Sequence, residues 1–278
     1  MHNTSILRVL CTVLGALVVA VAGVSATIAL SNRPSVVETA GADFSPPTST
    51  TTKPMPSTTA APTTTSTSTT STTALPAAEP SDALRRGDRS AAVRTLQTQL
   101  RDLGYWLGGV SDAFGPLTEQ AVTAFQKVEG LTPDGVAGPA TQAALARAGR
   151  PASSASGDLI EVDKARQVLF VVRGGEVAWT LNVSTGTEKP YVVDGRTELA
   201  DTPPGRWKVS WVVDGNDVGA LGALYRPRYF HADGIAVHGY HSVPSYPASH
   251  GCVRVTETAM DWIWANDLMP LGSSVWVH

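Results

Sequence analysis

The sequence predicts an α+β multidomain protein: a small three-helix bundle followed by a mainly β sandwich or barrel with one packed helix. Two observations carry this expectation. Between Ser81 and Gly149 the apolar residues recur at spacings of three and four, the period of a helix face. From Asp158 onward short runs of branched and aromatic residues are separated by turn residues, the signature of strands. The length of 278 residues fits about two domains of roughly 100–200 residues each. A net charge of -3 with 16% charged residues leaves no basic block, which argues against a nucleic-acid reader. Of the tryptophans, all but Trp106 lie beyond residue 157, so the larger core belongs to the C-terminal part.

Residues 1–30 read as a signal peptide or signal anchor. Val9 to Leu30 carries no charge and follows a start whose positive groups are the terminal amine and Arg8. Two fates stay open: cleavage near Val24-Ser25-Ala26, or retention as a membrane anchor, because the run approaches the ~20 residues that span a bilayer. Residues 31–80 are Thr, Ser, Pro and Ala with few branched or aromatic side chains, a disordered linker that cannot bury a core. Extended at about 3 Å per residue, such a tether reaches on the order of 100 Å.

Residues 81–150 form the helical module. One stripe contains Val93, Leu96, Leu100 and Leu103, a second Ala121, Val122, Phe125 and Val128, a third Ala140, Ala144 and Leu145. Gly115-Pro116 and Gly138-Pro139 repeat one helix-start device, since the fixed φ of proline suits the first helical position. Gln97, Gln126 and Tyr105 have two open readings, structural polarity or ligand contact.

Residues 157–278 carry strand-like runs at Leu159–Asp163, Val168–Val172, Val177–Val183, Trp207–Val213, Ile235–His238 and Val275–Val277. Gly174-Gly175 suits a tight hairpin turn. A helix is expected over Thr256–Ala265, with Thr256 as its N-cap and Met260, Ile263 and Trp264 facing inward.

Chemistry concentrates between His238 and Arg254. The chain has two cysteines, and Cys11 lies in the apolar N-terminal run, so Cys252 is the only thiol of the globular part. A solitary exported thiol is open to oxidation and exchange, and histidines beside it supply a reason for keeping it. Thiolate is the nucleophilic form, stabilised by neighbouring histidine or arginine. His238 ends the apolar run Ile235-Ala236-Val237, and a proline-containing loop is long enough to bring Cys252 back to it. Gly251 lets the backbone approach a substrate, and amides there suit an oxyanion. One cysteine among His231, His238, His241 and His250 is a poor zinc set. His241 reads as a surface residue, and Tyr229 and His231 as groove-lining or packing aromatics.

Two stretches resemble known families. Leu84-Arg85-Arg86-Gly87-Asp88, Leu103-Gly104-Tyr105, Phe114-Gly115-Pro116-Leu117-Thr118, Ala124-Phe125-Gln126, Asp134-Gly135-Val136 and Gly138-Pro139-Ala140-Thr141 are similar to the three-helix peptidoglycan-binding module of cell-wall enzymes. Ile235-Ala236-Val237-His238-Gly239 and Ser249-His250-Gly251-Cys252-Val253-Arg254 resemble the L,D-transpeptidase catalytic domain, with Val183-Ser184-Thr185-Gly186 and Thr202-Pro203-Pro204-Gly205 extending the likeness.

The resemblance implies Cys252 as nucleophile, His238 as base and the Gly239 carbonyl as the group that orients it. It also implies oxyanion donors from His250, Gly251 and Cys252, loop support from Ser249 and His250, and an arginine position at Arg254; Arg254 and Tyr229 are the expected substrate contacts. The implied partners are peptidoglycan stem peptides and glycan, with no metal or organic cofactor, and with membrane contact through the N-terminal segment if it is uncleaved. The implied location is extracytoplasmic, at the cell wall. The reaction expected is a three-to-three cross-link through a thioester, with acylation by carbapenems. An L,D-carboxypeptidase, or a catalytically silent wall-binding protein, stays open as an alternative. The two modules read as separable, so that removing residues 1–150 leaves the chemistry intact.

Overall fold

A computed structural model describes residues 83–278; the expected export segment (1–30) and linker (31–80) lie outside the described residues. Helix α1 (Ala91–Asp102) starts where the Ser90 hydroxyl accepts from the Val93 amide at 3.2 Å. Helices α2 (Pro116–Val128) and α3 (Pro139–Leu145) each have a glycine N-cap and proline in the first turn, as the repeated Gly-Pro pairs require. Their apolar stripes meet in one core that includes Val93, Leu100, Phe114, Val122, Phe125 and Ala144.

The two open glutamines are structural. Gln97 is buried, donates to Ala113 O and Thr118 Oγ1 at 2.8 and 2.9 Å, and accepts from the Ser111 amide at 2.6 Å. Buried Gln126 likewise bonds Asp134, Val136 O and the Gly135 amide, so each side chain ties a loop to a helix. Tyr105 is fully buried edge-on against Phe125.

The C-terminal half contains, in chain order, β1 (Leu159–Asp163), β2 (Val168–Arg173), β3 (Glu176–Asn182), β4 (Pro190–Val193), β5 (Arg196–Leu199) and β6 (Gly205–Lys208). Beyond these lie β7 (Trp211–Val212), β8 (Asn216–Gly219), β9 (Gly222–Tyr229), β10 (Ala236–Tyr240), β11 (Val253–Thr256), helix α4 (Glu257–Ala265) and β12 (Ser274–Val277). One sheet has the order β3-β2-β1-β12-β6; a second has β11-β10-β9-β7 with β8 on β9; β4 and β5 form a separate hairpin. The sheets share a core in which Ile160, Val162, Leu169 and Val171 meet Val237, Val253 and Val255, with Met260 and Ile263 of α4. This is a sandwich with one packed helix. A smaller cluster, including Leu159, Phe170 and Val172, covers the opposite face of the first sheet, so β1 is buried along its whole length.

Three expectations are corrected. The run Trp207–Val213 is two strands, because β6 pairs with β12 in one sheet and β7 with β9 in the other. The chain changes sheets at Val209 and Ser210, whose amides bond Ser273 O and Tyr229 O respectively. Trp264 is only half-buried: its indole donates to Arg226 O at 2.8 Å and its ring lies 3.8 Å from the Arg228 guanidinium.

The third correction concerns separability. Residues 104–106 of the helical module pair with the edge strand β3, through Thr180 N to Gly104 O at 2.7 Å and Trp106 N to Thr180 O at 3.0 Å. That caps an edge which would otherwise expose unpaired amides. Trp106 itself enters the sandwich core, 5.2 Å from the Trp262 ring. Arg150 then clamps the seam, donating to Ala178 O at 2.8 Å and Asp102 O at 3.1 Å. Deleting a buried tryptophan side chain costs about 3–5 kcal/mol. Trp106→Ala is therefore expected to lower the stability of the sandwich itself by about 3 kcal/mol. Hydrogen exchange at the β1 and β2 amides reads this, and unchanged protection there would mean that the cores are independent.

Candidate active site

The site stands on the parallel pairing of β10 with β11, which aligns Val237 with Val253 and His238 with Arg254. Side chains alternate along a strand, so Val237, Val253 and Val255 enter the core while His238, Arg254 and the preceding Cys252 share the other face. Antiparallel β9 adds a bulge here: its register steps from Arg228 opposite Val237 to Tyr225 opposite Gly239, leaving one extra residue opposite His238. Arg226 occupies that bulge with φ +50, held by carboxylates of Asp214 and Asp261, each 2.8 Å away.

His238 is 1% exposed. Its Nδ1 lies 2.9 Å from Gly239 O, and a carbonyl only accepts, so Nδ1 carries the proton and Nε2 is left as the basic nitrogen. Burial pushes its pKa down to about 4, opposed by the Gly239 bond and reinforced by the charge of Arg254. Half-buried Cys252 has its thiol 3.7 Å from Gly234 O. Burial pushes that thiol up, while the Ala236 amide and Arg254 pull it down. Both shifts favour the uncharged forms, a neutral imidazole beside a protonated thiol.

Cys252, His238, Arg254, Ser249 and His250 line one cleft, with Tyr191 and Tyr240 and the Leu221–Leu224 side of the β8–β9 hairpin. Arg254 donates to Ala248 O at 2.9 Å and lies 4.1 Å over the Tyr240 ring. Ser249 accepts from the Gly251 amide at 3.0 Å and donates to Cys252 O at 2.5 Å, so it braces the turn from inside. The Gly251 amide is therefore already engaged. Gly251 has φ +143, and a Cβ there would lie 2.7 Å from Asp201 O and from Ile235 Cδ1, which restricts the position to glycine. Gly239 is equally confined, by Tyr225 and Glu257.

Tyr229 pairs with Ala236 and is close enough to Cys252 for the two to interact electrostatically, while its hydroxyl donates to Asp217 at 2.8 Å. His250 is exposed with its ring 4.6 Å from Tyr191, and exposed His241 lies 4.3 Å from the Tyr240 ring. Spacing assigns no role to Tyr191, Tyr240 or Thr202. Thr202 accepts from the Gly186 amide at 2.9 Å and donates to Gly251 O at 2.6 Å, tying two glycine turns together. The only signal for Thr202 was its place in the Thr-Pro-Pro-Gly motif. Among the described residues, no group of three or more His, Cys, Asp or Glu side chains is placed to hold a metal, and no helix is long and apolar enough to cross a membrane.

Comparison with known proteins agrees with this architecture. Residues 157–277 match the L,D-transpeptidase catalytic domain, and residues 89–145 match a peptidoglycan binding domain. The crystal structure of an L,D-transpeptidase from Xylanimonas cellulosilytica is 44% identical, with a TM-score of 0.68, over 70% of this chain and 97% of that one. The chain belongs to the L,D-transpeptidase family. Curated relatives match over less: the N-acetylmuramoyl-L-alanine amidase CwlM of Mycobacterium tuberculosis is 43% identical over 53 residues, 19% of this chain and 13% of that protein. An uncharacterized protein of Kitasatospora aureofaciens is 44% identical over 63 residues, 22% of this chain and 53% of its own length. The chain thus spans about half, or less, of these curated proteins.

Because the folded His238 holds its pKa near 4 and the ordinary value is 6.5, the unfolded chain takes up this proton first as pH falls. Its contribution is present above pH ~6.5 and is lost through pH ~4, on the order of 3 kcal/mol in all. Denaturant unfolding at pH 7 and pH 4 should show a larger acid loss in the wild type than in His238→Asn. Equal losses would contradict a buried neutral imidazole.

Proposed function

We propose that the chain is an exported, wall-associated peptidoglycan L,D-transpeptidase that works through a Cys252 thioester and forms three-to-three cross-links between tetrapeptide stems. The observation that carries this reading is the shared face of Cys252 and His238, with the imidazole tautomer set by Gly239 O. His238 Nε2 takes the thiol proton as sulfur attacks the carbonyl of the third stem residue. With the Gly251 amide engaged by Ser249, the His250 and Cys252 amides are the donors assigned to the oxyanion.

Collapse breaks the bond to the terminal D-alanine, whose nitrogen receives the proton from His238. The thioester is then attacked by an amine of a second stem. His238 removes the amine's proton and returns it to the departing sulfur, so that an amide forms and the thiol is regenerated. Arg254, on the same face and in the cleft, supplies positive charge beside the sulfur. The peptidoglycan binding domain supports the wall as the site of action, and the charge-free run Val9–Leu30 supports export.

Incubation of the full chain with disaccharide-tetrapeptide should yield cross-linked dimer and free D-alanine by mass spectrometry. Trimmed tripeptide without dimer would instead assign a carboxypeptidase. Cys252→Ala should give neither product nor a carbapenem adduct. Cys252→Ser should fall by at least about a hundredfold, since a hydroxyl ionises far less readily than a thiol; near-wild-type turnover of the serine variant would refute thiol chemistry.

A further inference from the structure

The seam between the helical module and the sandwich contains a lysine that the proposed chemistry does not use. Lys127, on α2, is 8% exposed, and its Nζ donates to Gln167 O at 2.9 Å, Asn182 Oδ1 at 2.5 Å and Val183 O at 3.2 Å. Burial lowers its pKa to about 7, and in the protonated form all three of its N–H donors have acceptors on the sandwich. Gln120, two turns earlier on α2, accepts from Asn182 Nδ2 at 2.7 Å and donates to Val243 O at 3.1 Å. The module therefore grips both the end of β3 and the loop between β10 and β11.

Immediately after β3 the chain forms the strap that carries the cysteine loop. Gln167 donates to Thr185 Oγ1 at 2.6 Å and accepts from the Thr185 amide at 2.9 Å. Thr185 O accepts from the Ala248 and Ser249 amides at 3.1 and 3.0 Å, and Ser184 exchanges backbone bonds with Arg254 at 3.0 and 3.2 Å. Gln167 is itself held at φ +56, a conformation that a glutamine seldom adopts unaided. From Lys127 Nζ to the Ser249-Cys252 turn, the path is thus an unbroken series of short hydrogen bonds between buried groups.

We propose that Lys127 is a positioning residue for acyl transfer: from the helical module it fixes Gln167 and the Asn182–Thr185 segment, and through them the loop that presents Cys252 to His238. The helical module is then part of the catalytic scaffold as well as a wall-binding attachment. Lys127 touches neither substrate nor sulfur, and its effect falls on the acylation step rather than on the first encounter with substrate. Removing it takes the Lys127 donor from Asn182 Oδ1 and leaves Gln167 O with only the Val183 amide, 3.2 Å away, in a buried seam, which loosens the strap. This inference rests on the thioester reading of the site.

The test uses the full chain and imipenem as acylating probe, with adduct formation at Cys252 followed by intact-protein mass spectrometry. Lys127→Met should lower the limiting acylation rate constant about tenfold, the scale of effects passed along coupled networks, while the imipenem concentration at half-saturation stays unchanged. Combining it with Thr185→Val should cost less than the product of the two single losses, because both act on one path. Arg101→Ala, an exposed change on α1, should acylate as the wild type does. Lys127→Gln, which keeps a donor for Asn182, carries the same measurement if Lys127→Met does not fold. A folded Lys127 variant that acylates within about twofold of wild type, or losses that simply multiply, would overturn the inference while leaving the thioester reading intact. A wild type that imipenem does not acylate would overturn both.

Discussion

The molecule's chemistry depends on two parallel neighbours, β10 and β11, joined without a helix. Parallel strands need a connection of a dozen or more residues, usually helical so that its backbone groups satisfy one another. Here the connection is the irregular segment 241–252, whose amides and carbonyls need partners from elsewhere. Ser184 to Thr187 supply them, bonding Ala248, Ser249 and Arg254, while Thr202 holds Gly251 O. The site is therefore as rigid as the strap beneath it. The strap is itself pressed against the segment that leads to Thr202: a Cβ at Gly186 would lie 2.2 Å from Ala200 O.

The same packing sets the electrostatics. His238 is sealed between β9 and β11, and a charged imidazole is disfavoured there, so the base rests neutral over the whole physiological range. The thiol is held protonated by the same exclusion of water. In the proposed reaction charge separates only as His238 takes the proton, and Arg254, whose charge lowers the thiol pKa, favours the sulfur anion. A thiol kept protonated at rest also makes a poorer target for oxidants.

The helical module and the sandwich share more than a linker. Trp106 belongs to the sandwich core, residues 104–106 cap the β3 edge, and Lys127 and Gln120 reach from α2 into the far side of the same strand. The helical module and the cleft are consequently carried on one continuous packed body. Under the proposed function, binding of the module in one place then fixes where the cleft falls.

Much of this was legible in the residues alone. Helix faces, Gly-Pro starts, the Gly174-Gly175 hairpin, the Thr256 cap and strands β1, β2, β3 and β12 arise from local periodicity and local capping, which a linear sequence records directly. The Cys252–His238 partnership was legible too, since a solitary thiol beside histidines at the end of a strand is a chemical signal. Strands β4, β5 and β8 were not: their side chains are largely exposed, so no apolar alternation marks them. Tyr191 and Tyr240 in the cleft, the engagement of the Gly251 amide, the Tyr229–Asp217 bond, the neutral pair and the Lys127 seam were decided only by tertiary structure. Each depends on burial or on a partner far along the chain, and neither quantity exists until the sheets have packed.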